Sequence, residues 1–272
     1  MSTLNIQVRM AYDLSVPTDC LLQVEVARMP GQEVLDDSLR TTPVEGFRRV
    51  AGADGVGQRA WFRAEGRLEL SYDATVRVTR PDPDLRDLAA AQPHTLPADA
   101  TGLLMPSRYV PSDLFEAVAA DRFDGGSVDG PGVVATMRDW VEDRFAYVPG
   151  ASDATTTALE SYMARRGVCR DYAHVLIALA RASGVPARMA SVYATDVDPP
   201  DFHAVAEVWL GDAWHLVDPT GMARPTAMAV IGVGRDAADV SFLTMMGAGT
   251  LVSQSVEVVA AAPDDADDAA VS

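Results

Sequence analysis

The sequence of 272 residues predicts an α+β fold, in which an N-terminal antiparallel β-sandwich-like domain is followed by helices packed on an antiparallel sheet. Two patterns predict this class. Apolar and polar side chains alternate through the first 80 residues, as they do in half-buried strands. After residue 112 the apolar side chains recur at the helical period. The stretch between, from Arg80 to Pro106, is rich in Pro and Asp, which is typical of an interdomain connection. It contains one predicted helical patch, around Leu85 to Ala91.

The individual elements follow from these patterns. In the N-terminal part, alternation marks strands over 4–12, 22–26 and 68–78, with turn signals at Asp54-Gly55 and Gly66. The later elements are predicted as helices over 113–122 with Ser112 as N-cap, over 133–146, over 155–166 and from Cys169 to Gly184, and as strands over 187–194, 203–210, 213–218 and 250–260. The fourth helix is apolar almost all round, so we expect other elements to pack on several of its sides.

The predicted elements divide the chain into three parts. Residues 1–100 form the β-rich N-terminal domain, with a Pro-rich linker from about residue 80. Residues 101–260 form the second domain, and residues 261–272 form an acidic tail. Because the tail has four Asp and no large apolar side chain, we expect it to be disordered.

The composition excludes several classes of protein. With 39 acidic and 22 basic residues, the net charge of −17 has the wrong sign for binding nucleic acid or an anionic membrane surface. No run approaches the ~18 apolar residues of a membrane-spanning helix. The two cysteines cannot form a disulfide framework, and the first residues lack the features of a secretory signal. We therefore expect a cytoplasmic protein. Every basic residue is Arg, and Lys is absent.

Cys169 is the first candidate for chemistry. It follows Gly167-Val168 at the predicted start of the fourth helix, where unpaired N–H groups and the helix dipole favour a thiolate over a thiol. Most cysteines are small buried apolar residues, and Cys20, within a strand-like run, fits that description. A nucleophilic thiolate also needs a proton partner, which is usually a histidine.

A predicted hairpin supplies that histidine. The turn signal Gly211-Asp212 joins two strands, and in the two-residue register His203 and Asp218 share a face as diagonal neighbours, while His215 points to the other side. A carboxylate at this spacing can orient an imidazole and stabilise its charged form. A slip of one residue would put His203 and Asp218 on opposite faces. His174, on the helix of Cys169, faces away from it.

Four segments follow one another in the second domain: GVCRDYAH at 167–174, PARMASVY at 186–193, DFHAVAEVWL at 201–210 and WHLVDPT at 214–220. In this order they resemble the transglutaminase-like superfamily, specifically its bacterial branch of cysteine-protease-like proteins with a β-rich N-terminal domain. PSRY at 106–109, TTALE at 156–160 and GRDAADV at 234–240 extend the resemblance over 106–260. It implies a papain-like/transglutaminase-like core with Cys169 as nucleophile, His203 as base and Asp218 as orienting acid. Animal transglutaminases contribute a Trp to the oxyanion hole, and here Trp140 and Tyr147 are both candidates.

Two competing motifs are weaker. Gly232, Gly234 and Ala237 imitate a dinucleotide-binding fingerprint, but no βαβ unit surrounds them. A metal site is the second competing interpretation, with Cys169, His174, His203 and Asp218 as ligands, but no second Cys lies at the close spacing of structural sites. We therefore predict neither a cofactor nor a metal.

These residues and the resemblance together lead to an enzyme hypothesis. We expect a thiol-dependent acyl-transfer enzyme that acts on peptide or carboxamide bonds through a thioester, with hydrolysis favoured and amine transfer as the alternative. The substrate would be a protein or peptide, and the negative charge favours a cationic one. The alternative of another class is a non-catalytic protein-binding module with an acidic cleft. The residues assigned to that cleft are Asp196, Asp198, Asp201, Glu207, Asp236 and Asp239.

Overall fold

A computed structural model describes residues 1–123 and 131–261, and it has the predicted α+β class with antiparallel main sheets. Residues 262–272 of the predicted tail lie outside the described residues, so their disorder stays a prediction. The strands are β1 (Ser2–Leu22), β2 (Gln32–Thr41), β3 (Glu45–Ala51), β4 (Gln58–Val78), β5 (Ala146–Tyr147), β6 (Arg166–Gly167), β7 (Ala187–Ala194), β8 (His203–Leu210), β9 (Ala213–Val217), β10 (Met228–Gly234), β11 (Leu243–Met246) and β12 (Gly249–Ala260). The α-helices are α1 (Ala98–Thr101), α2 (Glu116–Phe123), α3 (Val133–Arg144), α4 (Ala158–Ala164) and α5 (Cys169–Ala182).

The first sheet has six strands and is built on β1 and β4, which are 21 residues long each. Its central order is β11-β1-β4-β2, with β12 also beside β1 and β3 beside β4. Along β1, Leu4, Ile6 and Val8 are buried while the residues between them are exposed, which confirms the predicted alternation. Tyr193 and Ile231 from the second sheet complete the apolar core of this region.

The last two strands return to the first sheet. Leu22 of β1 pairs with Leu243 of β11, and Leu4 of β1 pairs with Ala260 at the end of β12. This differs from the predicted division, which assigned all of 101–260 to the second domain. The reason is that β12 turns Val256 into the N-terminal core, a long-range pairing that local sequence patterns do not encode.

The second sheet carries the candidate site. Its antiparallel order is β10-β7-β8-β9, and α5 packs on β7 and β8. Every residue of α5 from Asp171 to Arg181 is buried, because α2, α3 and α4 cover its other sides. The prediction of a helix surrounded on several sides is therefore confirmed.

Three helical predictions need correction. Ser112 is not an N-cap; it lies inside a 3-10 turn over 112–115 that leads into α2. The third predicted helix starts later, at Ala158, because Thr157 and Glu160 form a capping box there. The predicted helical patch near Leu85 is only a 3-10 turn over 85–87. None of the helices in the described ranges combines the length and apolar character needed to cross a bilayer.

Candidate active site

Cys169 begins α5, immediately after the short strand β6. Its side chain is partly accessible, whereas Cys20 is fully buried in the first sheet. Burial, followed by the charge of Asp19, raises the pKa of the Cys20 thiol to about 11. The two cysteines therefore differ as predicted, in that one lies at a helix start and the other lies in a core.

The entrance to α5 is held by Asp171, a fully buried residue that sequence reasoning missed. Its Oδ2 accepts hydrogen bonds from the backbone N–H of Val168 at 2.8 Å and from the hydroxyl of Ser152. Arg170 donates to its Oδ1 at 3.2 Å. A Cβ on Gly167 would lie 2.5 Å from the Cβ of Asp171, so glycine is required where the chain passes this carboxylate.

His203 and Asp218 meet across the predicted hairpin. Trp209 pairs with Trp214 and Leu210 with Ala213, so the predicted register is confirmed. The Nε2 atom of His203 lies 2.9 Å from Oδ2 of Asp218, and both side chains are buried.

This pair has an unusual electrostatic environment. Burial alone lowers the pKa of His203, but the hydrogen bond to Asp218 and the interaction with the Cys169 thiol outweigh it and raise the pKa to about 10. Burial would raise the pKa of Asp218, but the bonds and charge of His203, with two bonds from Thr220, hold it below its usual value. These shifts favour a protonated His203 and an ionised Asp218 at neutral pH.

The other ring nitrogen of His203 is the one left for the thiol. Nδ1 makes no hydrogen bond within the described residues, and Nε2 is already bound to Asp218. Since the Cys169 thiol helps to raise the pKa of His203, Nδ1 is the nitrogen available to it. The thiol and the imidazole are thus neighbours without a well-aligned hydrogen bond.

Tyr147, rather than Trp140, lies at the thiol. Tyr147 is in β5, which runs parallel to β6, and Val148 N–H donates to Gly167 O at 2.9 Å. The pKa of the Tyr147 hydroxyl is raised to about 12, first by burial and then by the charge of Cys169 and a contact with its thiol. The backbone N–H of Cys169 acts in the opposite direction and lowers this pKa. Trp140 instead stacks on Tyr162 within an aromatic cluster.

The remaining histidines lie elsewhere. His174 accepts a hydrogen bond from Ala237 N–H at 3.2 Å and stacks on Tyr109, and burial lowers its pKa to about 3. His215 donates to the carbonyl of Leu210 at 3.1 Å, and His94 is exposed in the linker. The four suggested metal ligands therefore do not converge, because His174 contacts Ala237 rather than the thiol. No cluster of three or more candidate metal ligands occurs in the part of the chain that the structure describes.

The six residues assigned to the acidic cleft fall into two groups. Three of its residues are exposed on the segment before β8, namely Asp196, Asp198 and Asp201. Glu207, Asp236 and Asp239 instead make internal contacts, since Glu207 lies 2.7 Å from Nε of Arg188 and Asp236 accepts a bond from the N–H of Tyr109. Gly232, part of the imitated fingerprint, lies in β10 where a Cβ would collide with Gln23.

A cavity of about 820 Å³ lies between β9 and the linker, and Asp218 is one of the residues that line it. Its lining includes Arg80, Arg188 and Trp214, but neither Cys169 nor His203. Although this cavity is large, it is not the substrate cleft, because a substrate cleft must expose the thiol of Cys169.

Comparison with known proteins places this site in a family. A family model described as the transglutaminase-like superfamily matches residues 119–219, a span that contains Cys169, His203 and Asp218. A solved structure described as a candidate cysteine protease from Cytophaga hutchinsonii has a TM-score of 0.90 and 30% sequence identity, covering 97% of this chain and 92% of that one. The chain belongs to the transglutaminase-like superfamily.

Mycobacterial relatives of this superfamily member are similar over shorter stretches. An uncharacterized protein of Mycobacterium leprae is 30% identical over 149 residues, covering 51% of this chain and 52% of that protein. The chain thus spans about half the length of that relative. An uncharacterized protein of Mycobacterium tuberculosis is 29% identical over 222 residues, covering 71% of this chain and 70% of that protein.

Proposed function

We propose that the protein is a thiol-dependent acyl-transfer enzyme that acts on peptide or carboxamide bonds. One observation carries the proposal: the buried 2.9 Å contact between His203 Nε2 and Asp218 Oδ2 leaves Nδ1 of the same ring for the thiol of Cys169. The nucleophile is thus the first residue of α5, the base is the first residue of β8, and the orienting acid directly follows β9.

The first half of the reaction forms a thioester. The protonated His203 stabilises the Cys169 thiolate, which attacks the carbonyl carbon of the substrate and gives a tetrahedral intermediate. His203 then donates its Nδ1 proton to the leaving nitrogen, the C–N bond breaks, and an amine or ammonia departs. Asp218 keeps the ring oriented and stabilises its charged form throughout.

The second half regenerates the thiol group. His203, now neutral, takes a proton from a water molecule as that water attacks the thioester carbonyl. The C–S bond breaks, the carboxylic acid leaves, and the thiolate and the protonated imidazole are restored. An amine in place of water would give a new amide instead.

Two groups are suited to stabilise the oxyanion of both intermediates. The backbone N–H of Cys169 lies in the first turn of α5, where helix N–H groups have no intrahelical partner. The hydroxyl of Tyr147 lies next to the same N–H and can donate a second hydrogen bond. Trp140, the other candidate, is enclosed by its aromatic neighbours.

We favour hydrolysis over amine transfer because the Cytophaga hutchinsonii structure is described as a candidate cysteine protease. A large distance between Cys169 and His203 would support the binding-module alternative. The influence of the thiol on the pKa of His203 speaks against such a distance.

The test is a panel of peptide and carboxamide substrates, incubated with and without a primary amine and followed by mass spectrometry of protein and products. We expect a Cys169-linked acyl intermediate, release of a carboxylic acid, and no turnover by Cys169→Ala. Turnover that survives this substitution would refute the proposal. Incorporation of the amine in place of water would assign the transferase reaction.

A further inference from the structure

Asp201 is exposed at the point where β8 begins, two residues before the buried His203. Between them, the ring of Phe202 packs on the core of the first sheet, with its centroid 4.6 Å from that of Phe242 and 5.7 Å from that of Tyr193. The packing of Phe202 thus anchors the short segment that joins Asp201 to His203.

The position of this carboxylate is fixed from the first sheet. Nε2 of Gln254, in β12, donates to Oδ1 of Asp201 at 2.7 Å, and the N–H of Phe202 donates to the same oxygen at 2.7 Å. Within the described residues, Oδ2 of Asp201 accepts no hydrogen bond, and no Arg lies within 4.0 Å of the carboxylate. Asp201 therefore has a fixed position while its negative charge is not neutralised by the protein.

The charge of Asp201 acts on the hydroxyl of Tyr147, which is next to the thiol. Burial and the interactions with Cys169 are the larger causes of the raised pKa of Tyr147, and the negative charge of Asp201 is a further one. A carboxylate this close attracts a cation and repels an anion bound next to the thiol, and a partly dehydrated cleft strengthens both effects.

We propose that Asp201, held by Gln254, is a specificity-determining residue that selects substrates with a positively charged side chain next to the carbonyl attacked by Cys169. This inference rests on the proposed function. The guanidinium of Arg and the ammonium of Lys share the required charge, whereas an acidic side chain at that position is disfavoured.

Peptides that differ only next to the scissile bond test the inference. They carry Arg, its neutral isostere citrulline, or Glu, and kcat/KM is measured for the native protein, Asp201→Asn and Asp196→Asn. Asp196 is the matched control, because it is exposed on the same segment and its side chain bonds only to Thr195 within the described residues. We expect the native protein to prefer Arg over citrulline by about tenfold, Asp201→Asn to abolish most of that preference, and Asp196→Asn to retain it. Gln254→Leu should weaken the preference by releasing the carboxylate.

A second measurement needs no substrate. Iodoacetamide is neutral and iodoacetate is anionic, so the ratio of their alkylation rates at Cys169 reports the charge near the thiol. We expect Asp201→Asn to raise the iodoacetate rate relative to iodoacetamide by about threefold or more, and Asp196→Asn to leave the ratio unchanged.

The outcomes separate the two proposals. Equal Cys169-dependent turnover of the three peptides, or ratios that Asp201→Asn does not alter, would overturn the inference and leave the proposed function intact. Failure to turn over any peptide or carboxamide, whatever its charge, would remove the proposed function, and this inference with it.

Discussion

Asp218 accepts four hydrogen bonds, which explains how a buried carboxylate remains ionised. The donors are His203 Nε2, the N–H and hydroxyl of Thr220, and the N–H of Ala223. Because ionised carboxylates are stabilised by such donors, Asp218 can orient His203 without taking its proton.

Substitutions at the pair should separate the two roles. His203→Ala should remove nearly all turnover, and Asp218→Asn should lower kcat by about 10²–10⁴ because the wrong imidazole tautomer is favoured. Steady-state kinetics with circular dichroism as a folding check measures both. His215→Ala is the control, and its kcat should stay within about tenfold of the native value because His215 lies on the other side of the sheet. An essential His215 with a dispensable His203 would contradict the assignment.

The His203–Asp218 pair also makes stability depend on pH. The pKa of His203 is raised to about 10, so its contribution is fully present below the unfolded value of 6.5 and is lost as pH rises toward 10. The pKa of Asp218 is lowered, so its contribution is present above 3.8 and is lost as pH falls through the folded value. Urea unfolding from pH 7 to 10 should show a falling free energy of unfolding, with a shallower fall in Asp218→Asn. Equal slopes in both proteins would refute this coupling.

The two thiols should differ in reactivity. Limiting iodoacetamide near neutral pH should modify Cys169 first, because Cys169 is accessible and lies at a helix start, whereas Cys20 is buried with its pKa raised to about 11. Peptide mapping by mass spectrometry measures the order. Equal labelling, or labelling of Cys20 first, would argue against a nucleophilic Cys169.

At the level of elements, the start of α5 depends on Gly167. Gly167→Ala would push the new Cβ into Asp171, which holds the N–H of Val168, so we expect a loss of about 1–3 kcal/mol in unfolding free energy and a larger loss of turnover. Thermal unfolding and kinetics measure the two effects. Gly102→Ala is a suitable control, because no atom lies within 4 Å of its added Cβ and its φ is −64°. A Gly167→Ala protein with native activity would show that Asp171 does not position Cys169.

The elements that the sequence predicts correctly are those with local signals. The turn at Gly211-Asp212 fixes the register of β8 and β9, and the apolar surface of α5 indicates a buried helix. β3 has no such signal, because all its residues are exposed and no alternation of apolar and polar side chains marks it. The sequence pattern also does not predict β10, because this strand is buried throughout and its glycines imitate a loop motif.

For the candidate site too, the sequence predicts contacts between nearby residues and does not predict contacts between distant ones. His203 and Asp218 are close in the hairpin, so their contact can be predicted. The roles of Asp171 and Gln254 depend on contacts with distant segments, at Ser152 and Asp201, and no local pattern reveals those contacts.

For the whole molecule, the absence of Lys limits the covalent products that the protein can form with itself. It has six Gln as acyl donors but only its α-amino group as an amine, so the concentrated protein should form no isopeptide-linked multimers. Denaturing electrophoresis after long incubation measures this.

A small added amine should appear on a Gln only if the protein transfers acyl groups to amines, and its incorporation should weaken with salt because the surface is acidic. Release of ammonia or a new terminus at the same rate with and without amine would refute transfer.

The path of the chain through the first sheet makes the second unit an insertion. The chain leaves β4 at Val78, beside Ser2, and re-enters the sheet at Leu243, beside Leu22 at the opposite end of β1. While the sheet remains folded, an unfolded insert is therefore a closed loop whose two ends are held apart at fixed points. Closure reduces the number of conformations open to the unfolded insert. The sheet thus stabilises the unit that carries Cys169 by lowering the entropy of its unfolded state, in addition to any contact between them.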